Sequence, residues 1–379
     1  MKYDHSHIAS YVPDMPCRRF GLLWASAITA LCISTLTSSA HAQSSVTVFG
    51  LLDEGVTYAS NVDGKRYIGT QTGIQAPNLF GVRGTEDLGG GYAAIFLMDG
   101  FFSIDTGAMS GGGPFGRESY IGLSSPWGTI TMGKQFDYMY DSLSIARWGQ
   151  QIPYVSLYQL PDGPYANMNA PLGTFDYSRT AGGAATPNTV KFTSAPYHGL
   201  HFGAMYGFSN VAGQFGNGNL SSFGLDYASG PLRMDAAYTY SKQDGIDSNE
   251  AGIRNFGFGG RYDFGRLALD ALYTNTHNTF NGAQIDSFEV GGLYPVSPFF
   301  FIYAQYIYSK GNEALTNNQA HQAGVTFDYL LSKRTDVYLN VIYQHAKGGE
   351  QVFAAISGSP GTSSSPNQTV IRVAMRHLF

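Results

Sequence analysis

A chain of 379 residues with 22 Lys and Arg against 27 Asp and Glu carries a net charge of −5, which removes the cationic surface expected of a nucleic-acid binder. Only 13% of its residues are charged, against about 25% in ordinary soluble domains, while 14% are aromatic and 48 are glycine. That is too little charge to cover the surface of a water-soluble protein of this size.

The first element in chain order is a short apolar run, residues 20–36 (FGLLWASAITALCISTL), preceded by Arg18 and Arg19 and followed by Ala40-His41-Ala42. A basic start, an apolar middle and a small-residue cleavage site are the pattern of a secretory signal. The expectation is a removed segment 1–42, a mature start at Gln43, and Met15 as a second candidate for the start codon. A membrane anchor fits less well, because the run is short for a span. Both cysteines, Cys17 and Cys32, fall in the removed segment, so the mature chain has no thiol, disulfide or cysteine metal ligand. Loss of Lys2, Arg18, Arg19, Asp4 and Asp14 takes the net charge from −5 to −6.

Beyond the signal no apolar stretch is long enough for a membrane helix. Alternating segments recur instead from Val46 to the end. Residues 232–242 (LRMDAAYTYSK) set Leu232, Met234, Ala236, Tyr238 and Tyr240 against Arg233, Asp235, Ala237, Thr239 and Ser241, one face suited to lipid and the other to water. Residues 255–265 and 335–344 repeat the pattern. Tight turns by residue type (DLGGG, SPWG, PYHG, SGP, DFG, SP and SKR) alternate with longer Asn-, Gly- and Ser-rich connections. Strands are predicted to begin near Val46, Gln75, Gly91, Phe115, Gly128, Asn188, Leu200, Ser221, Leu232, Asn255, Leu267, Asp286, Phe299, Gln319, Thr335 and Gln368. The fold class is therefore all-β: a 16-stranded antiparallel transmembrane β-barrel over 43–379, of a size that encloses an aqueous lumen.

One connection is out of proportion. The stretch at about 137–187 holds Trp148, Tyr154, Tyr158, Tyr165, Phe175 and Tyr177 with several prolines and little alternation. A long irregular loop in a compact domain points to function, here a third loop folded into the lumen; a missed hairpin or an extracellular plug is the alternative. The chain ends on VIRVAMRHLF, with Ile371, Val373, Met375, His377 and Phe379 on one face and Arg372 and Arg376 on the other. The arginines are expected to face inward, because lipid penalises them.

The stretches SSVTVFGLLDEGVTY, FGVRGTEDLGGGYAAIF, FGRESYIGLSSPWGTITMGKQFDYMYDSL, TVKFTSAPYHGLHFGAMYGF and VAMRHLF together resemble the general porins of Gram-negative bacteria, in particular the beta-proteobacterial type. The resemblance spans essentially the whole mature chain. It implies a homotrimer in the outer membrane, in contact with its lipid and lipopolysaccharide, with each water-filled barrel constricted by its third loop and passing ions and small hydrophilic solutes. It also implies that the last strand closes on the first, and that Phe379, with His377, Met375 and Val373 before it, is the signal read by the outer-membrane assembly machinery.

The family's constriction opposes a basic ladder on the wall to carboxylates on the loop, so that a few focused charges choose among ions. Carried over, the ladder falls on Arg83 and Arg117, with Lys191 inward by alternation; Arg179, Asp162 and Asp176 are the loop's charged candidates. Leu79 replaces a ladder arginine, and residues 142–160 contain Arg147 but no carboxylate, so the expectation is a slightly anion-preferring to weakly selective pore. The loop aromatics fit either packing against the wall or a preference for small aromatic or organic-acid solutes. Lys134 shares parity with Ile130 and Met132 and suits a subunit contact; Glu54 and Glu118 are expected to face outward beside it.

No GxSxG, HExxH or P-loop pattern is present, and the six mature histidines are scattered, so no enzyme, cofactor or transition-metal site is expected. An outer-membrane barrel enzyme is the rival class, and His277, His321 and His345 are the histidines it would draw on.

Overall fold

The computed structural model describes residues 45–144, 156–170, 173–183, 185–213, 215–242, 251–349 and 352–379. The signal segment, Gln43, Arg147, Trp148 and Tyr154 lie outside the described residues.

Sixteen barrel strands are found among the described residues. They are β1 (Ser45–Val62), β2 (Lys65–Thr72 and, after a break, Leu79–Gly89), β3 (Tyr92–Phe102), β4 (Met109–Ser110 and Glu118–Ser125), β5 (Gly128–Gln135), β6 (Thr186–Ser194), β7 (Leu200–Gly207) and β8 (Leu220–Ser229). The second half comprises β9 (Leu232–Lys242), β10 (Gly252–Asp263), β11 (Ala268–Asn278), β12 (Gln284–Ser297), β13 (Phe300–Gly311), β14 (Gln319–Leu330), β15 (Thr335–Lys347) and β16 (Asn367–Leu378). Every neighbour pair is antiparallel, and β16 returns to β1 in a register running from Leu51 opposite Leu378 to Ala59 opposite Val370. Closure leaves no sheet edge whose amide and carbonyl groups would be stranded in hydrocarbon. The last residue takes part: Phe379 and Gly50 exchange both backbone hydrogen bonds at 3.1 Å.

Alternation divides the wall. On β1 the odd positions Asp53, Thr57 and Ala59 are buried inside the barrel, while Val46, Val48 and Val56 are exposed outside. The outer face is not uniform. Across β16 and β1 to β5 it is largely aliphatic, with Val373, Met375, Val48, Ile121, Ile130 and Met132 exposed. Farther round it becomes aromatic, with ring pairs such as Phe256–Tyr273 at 5.8 Å, Tyr273–Phe288 at 4.9 Å and Phe300–Phe327 at 6.5 Å. Such rings mark membrane interfaces in outer-membrane barrels.

Two sequence expectations are corrected. The second strand begins at Lys65, not near Gln75, because Asp63-Gly64 makes a tight hairpin turn with both residues at positive φ (48° and 87°), the conformation that Asp-Gly favours. The break at residues 73–78 hid its upper part. Glu118 faces inward rather than outward: it is the ladder partner of Asp99 and is 1% exposed. Arg117 lies before the first ladder pair of the strand, where alternation does not govern direction. Lys134 and Glu54 keep the outward parity expected of them, Glu54 opposite Thr72.

Candidate pore and its long loop

The connection between β5 and β6 opens with a helix, α1 (Tyr138–Leu143), capped by the Asp137 carboxylate, which accepts from the Met139 amide at 2.9 Å. So short a helix holds only through tertiary contacts, and the wall supplies sockets for it. A Cβ at Gly203 or Gly224 would collide with the Tyr138 side chain, and one at Gly257 would meet Leu143. Tyr138 Oη donates to the Phe192 carbonyl at 2.6 Å, and Met139 and Leu143 are buried with Met205, Leu220, Ala237 and Leu272.

The rest of the described loop is hydrogen-bonded to inward-facing residues far round the barrel. Tyr158 Oη lies 2.9 Å from Thr57 Oγ1 on β1 and also bonds Gln71 on β2. Thr326 on β14 donates to Gln159 Oε1 at 2.7 Å, and Gln322 donates to the Tyr158 carbonyl at 3.0 Å. Tyr165 Oη meets Ser309 Oγ on β13 at 2.8 Å, and Tyr177 Oη meets Ser287 Oγ on β12 at 2.9 Å. Asn255 on β10 and Asn278 on β11 donate to the carbonyls of Tyr177 and Met168 at 2.7 and 3.0 Å. These three tyrosines are fully buried with their hydroxyls engaged, so they pin the loop to the wall. Burial pushes the Tyr158 phenol up to about 12.

The expected ladder residues are differently placed. Arg117 Nη1 lies 2.6 Å from Asp99 Oδ2 and 2.9 Å from Glu118 Oε2, with its guanidinium 4.9 Å from the centre of the Phe136 ring. Lys191 faces inward, donates to the Phe136 carbonyl at 2.7 Å and is ion-paired to Asp141. Arg179 Nε donates to Asp137 Oδ2 at 2.6 Å. Arg83 also faces inward; its guanidinium lies 5.2 Å over the Phe49 ring, and among the described residues it makes no ion pair. The loop carboxylates that pair with these cations, Asp137 and Asp141, lie in the loop's first turn, ahead of the carboxylate-free residues 142–160. An i, i+4 pair of aspartates flanking a tyrosine-rich turn was the available signal.

Asp162 is buried in the loop, where its Oδ1 accepts from the Gly163 amide at 2.7 Å; burial pushes its carboxyl up to about 7. Asp176 accepts from the amides of Ala181 and Gly183 at 2.7 and 2.8 Å, and burial pushes it up to about 6. Arg372 and Arg376 face inward as expected, each ion-paired to aspartate. Val373, Met375 and Phe379 are exposed on the outer face, and His377 Nδ1 lies 2.9 Å from Thr335 Oγ1.

A closed antiparallel barrel with an apolar outside, a polar inside and its own loop bonded across the interior defines a transmembrane channel architecture. The family model of Gram-negative porins matches residues 27–349, and the chain belongs to that family, whose place is the outer membrane. It is 26% identical over 372 residues to outer membrane porin protein 32 of Delftia acidovorans, covering 93% of this chain and 99% of that one. It is 28% identical over 287 residues to an outer membrane porin protein of Bordetella pertussis, covering 68% and 70%. Among solved structures, an anion-selective porin from Comamonas acidovorans superposes with a TM-score of 0.74 at 24% identity, covering 89% of this chain and 100% of that one. The trimer form of OmpT, an outer membrane protein of Vibrio cholerae, does so with 0.62 at 17%, covering 89% and 99%.

Proposed function

We propose that the protein is a homotrimeric, non-specific diffusion pore for ions and small hydrophilic solutes, narrowed by the loop at about 137–187. The observation that carries this is the set of loop hydrogen bonds to β1, β2 and β10 to β14, which hold the loop across the barrel interior. A plug free to leave would not need them. The aliphatic outer face of β16 and β1 to β5, set against the aromatic remainder, supports a protein neighbour there rather than lipid.

The Comamonas acidovorans porin, which superposes with a TM-score of 0.74, is described as anion-selective, which favours the same sign here. The expectation rested on unpaired Arg83, Arg117 and Lys191, however, and two of these have carboxylate partners. We therefore read the pore as weakly selective, with Arg83 the ladder member left to attract anions. Because the loop tyrosines are bonded to the wall, they favour the packing role over recognition of aromatic solutes.

Zero-current potentials across a planar bilayer under a salt gradient test this reading. A small anion preference that Arg83→Ala reduces is expected. Strong cation preference would overturn it, as would a saturable flux for one solute class. A detergent-solubilised mass corresponding to a single chain would remove the trimer.

A further inference from the structure

His321 and His345 are direct ladder partners on β14 and β15. Residues so paired carry their side chains on one face with Cβ atoms about 4.5–5.5 Å apart. The face is the outer one: His321 is also the ladder partner of Tyr308, which pairs with Phe288, and Phe288 and Tyr343 are exposed there. The site lies near the loop ends of both strands, one ladder step in from Ala320 and Ala346 and two from Gln319 and Lys347.

Each ring is held through Nδ1. His345 Nδ1 lies 2.9 Å from Asn367 Oδ1, and that oxygen also accepts from Tyr343 Oη at 2.7 Å. An amide oxygen can only accept, so His345 donates from Nδ1 and keeps the lone pair on Nε2. His321 Nδ1 lies 2.6 Å from Tyr306 Oη, a hydroxyl that can accept from or donate to it, and the Tyr308 ring packs 4.9 Å from the imidazole. Two imidazoles side by side, each ring oriented by an oxygen at Nδ1 and the His345 tautomer set by Asn367, present the second-partner arrangement found in metal-ligating histidines.

We propose that His321 and His345 bind a borderline divalent transition metal, of the zinc, nickel or copper class, through their Nε2 atoms, with water completing the shell. Imidazole selects these ions over magnesium and calcium. Among the described residues no group of three or more His, Cys, Asp or Glu side chains could hold a metal, so two nitrogens set a modest affinity. Among the described residues the charges facing the site are Lys347, two residues along β15 from His345, and Lys310, which with Gln319 and Lys347 forms one ladder row. Asp286, opposite Lys310, accepts from Tyr273, Asn275 and Gln284. Lys347 therefore weakens binding by repulsion. The site is on the barrel exterior and independent of the pore reading.

The test is calorimetric titration of zinc into tag-free, metal-stripped protein in detergent at about pH 7.5, where unperturbed imidazoles are neutral. His321→Ala and His345→Ala should each weaken binding by roughly tenfold or more, taking the usual effect of changing a metal-site residue as the lower bound. Lys347→Gln should tighten it, and binding should vanish near pH 5 as the ligands protonate. Copper bound to the unaltered protein should show nitrogen hyperfine splitting that the double alanine variant lacks. Equal zinc affinity in the unaltered and double-alanine proteins, with conductance showing both correctly folded, would overturn the proposal.

Discussion

Arg372 Nη2 lies 2.8 Å from Asp53 Oδ1 across the seam that closes the barrel, and neither side chain has any solvent exposure. Both groups are fully engaged. Tyr338 Oη donates to the same aspartate oxygen at 2.7 Å and accepts from Arg372 Nε at 2.9 Å. The other oxygen of Asp53 accepts from the amides of Gln75 and Ala76 at 2.6 and 3.0 Å, while Asn78 Oδ1 accepts from the Asp53 amide at 2.5 Å. The carboxylate thus satisfies amides released where β2 breaks, and neutralises the arginine of the closing strand. Asp53→Asn leaves a buried cation uncompensated and should cost about 3–5 kcal/mol. Guanidinium unfolding of the protein refolded into micelles would read this directly. A loss below about 1 kcal/mol, the range of an exposed pair, would mean that water enters the seam.

The α1 sockets make a second prediction. Gly224 lies beneath Tyr138 and Ser142, and any branched side chain there must displace the helix. Gly224→Val should expel α1 from the wall and widen the passage, raising single-channel conductance while the sixteen-stranded barrel still assembles. Gly216, with open space about its Cβ position, is the control; Gly216→Val should leave conductance unchanged. Unchanged conductance in Gly224→Val as well would place α1 away from the narrowest section.

The sequence was informative where physics is local and less so where it is not. Period-two alternation with Gly, Pro and Ser turns was enough for sixteen strands and for the inward direction of Arg83, Lys191, Arg372 and Arg376. It failed at β2, where Pro77 and the break interrupt alternation, although Asp63-Gly64 is itself a hairpin signal. It failed again at Glu118, because Arg117 precedes the strand's first ladder pair and so does not carry its alternation. The Arg372–Asp53 pair joins residues 319 positions apart, and the socket glycines acquire meaning only once a distant loop lies on them. No local pattern encodes either relationship.

The Arg117 cluster ties one cation to two carboxylates, Asp99 and Glu118. Arg117→Ala should therefore shift the zero-current potential toward cations by leaving both acids without their counter-charge. Adding Asp99→Asn and Glu118→Gln to that variant should bring the potential back near its original value. A shift that survives in the triple variant would show that the cluster does not set the field in the passage.

Asp162 makes the docking of the loop depend on pH. Its ordinary value of 3.8 is pushed up to about 7 by burial, so the folded loop binds this proton more tightly than the unfolded chain does. Where the folded state holds the extra proton, stability falls as pH rises; the docked loop should be most secure below about pH 4, loosen between about 4 and 7, and change little above that. Asp176, pushed up to about 6, adds a slope of the same sign over a narrower window. Asp162→Asn, neutral at every pH, should remove the larger slope and leave the smaller. Protease cleavage within the loop, or open-channel current noise, followed from pH 4 to 8 would record it. Loosening on acidification instead would mean that Asp162 stays ionised in the barrel and that its contacts to the Gly163 amide and Thr174 outweigh its burial.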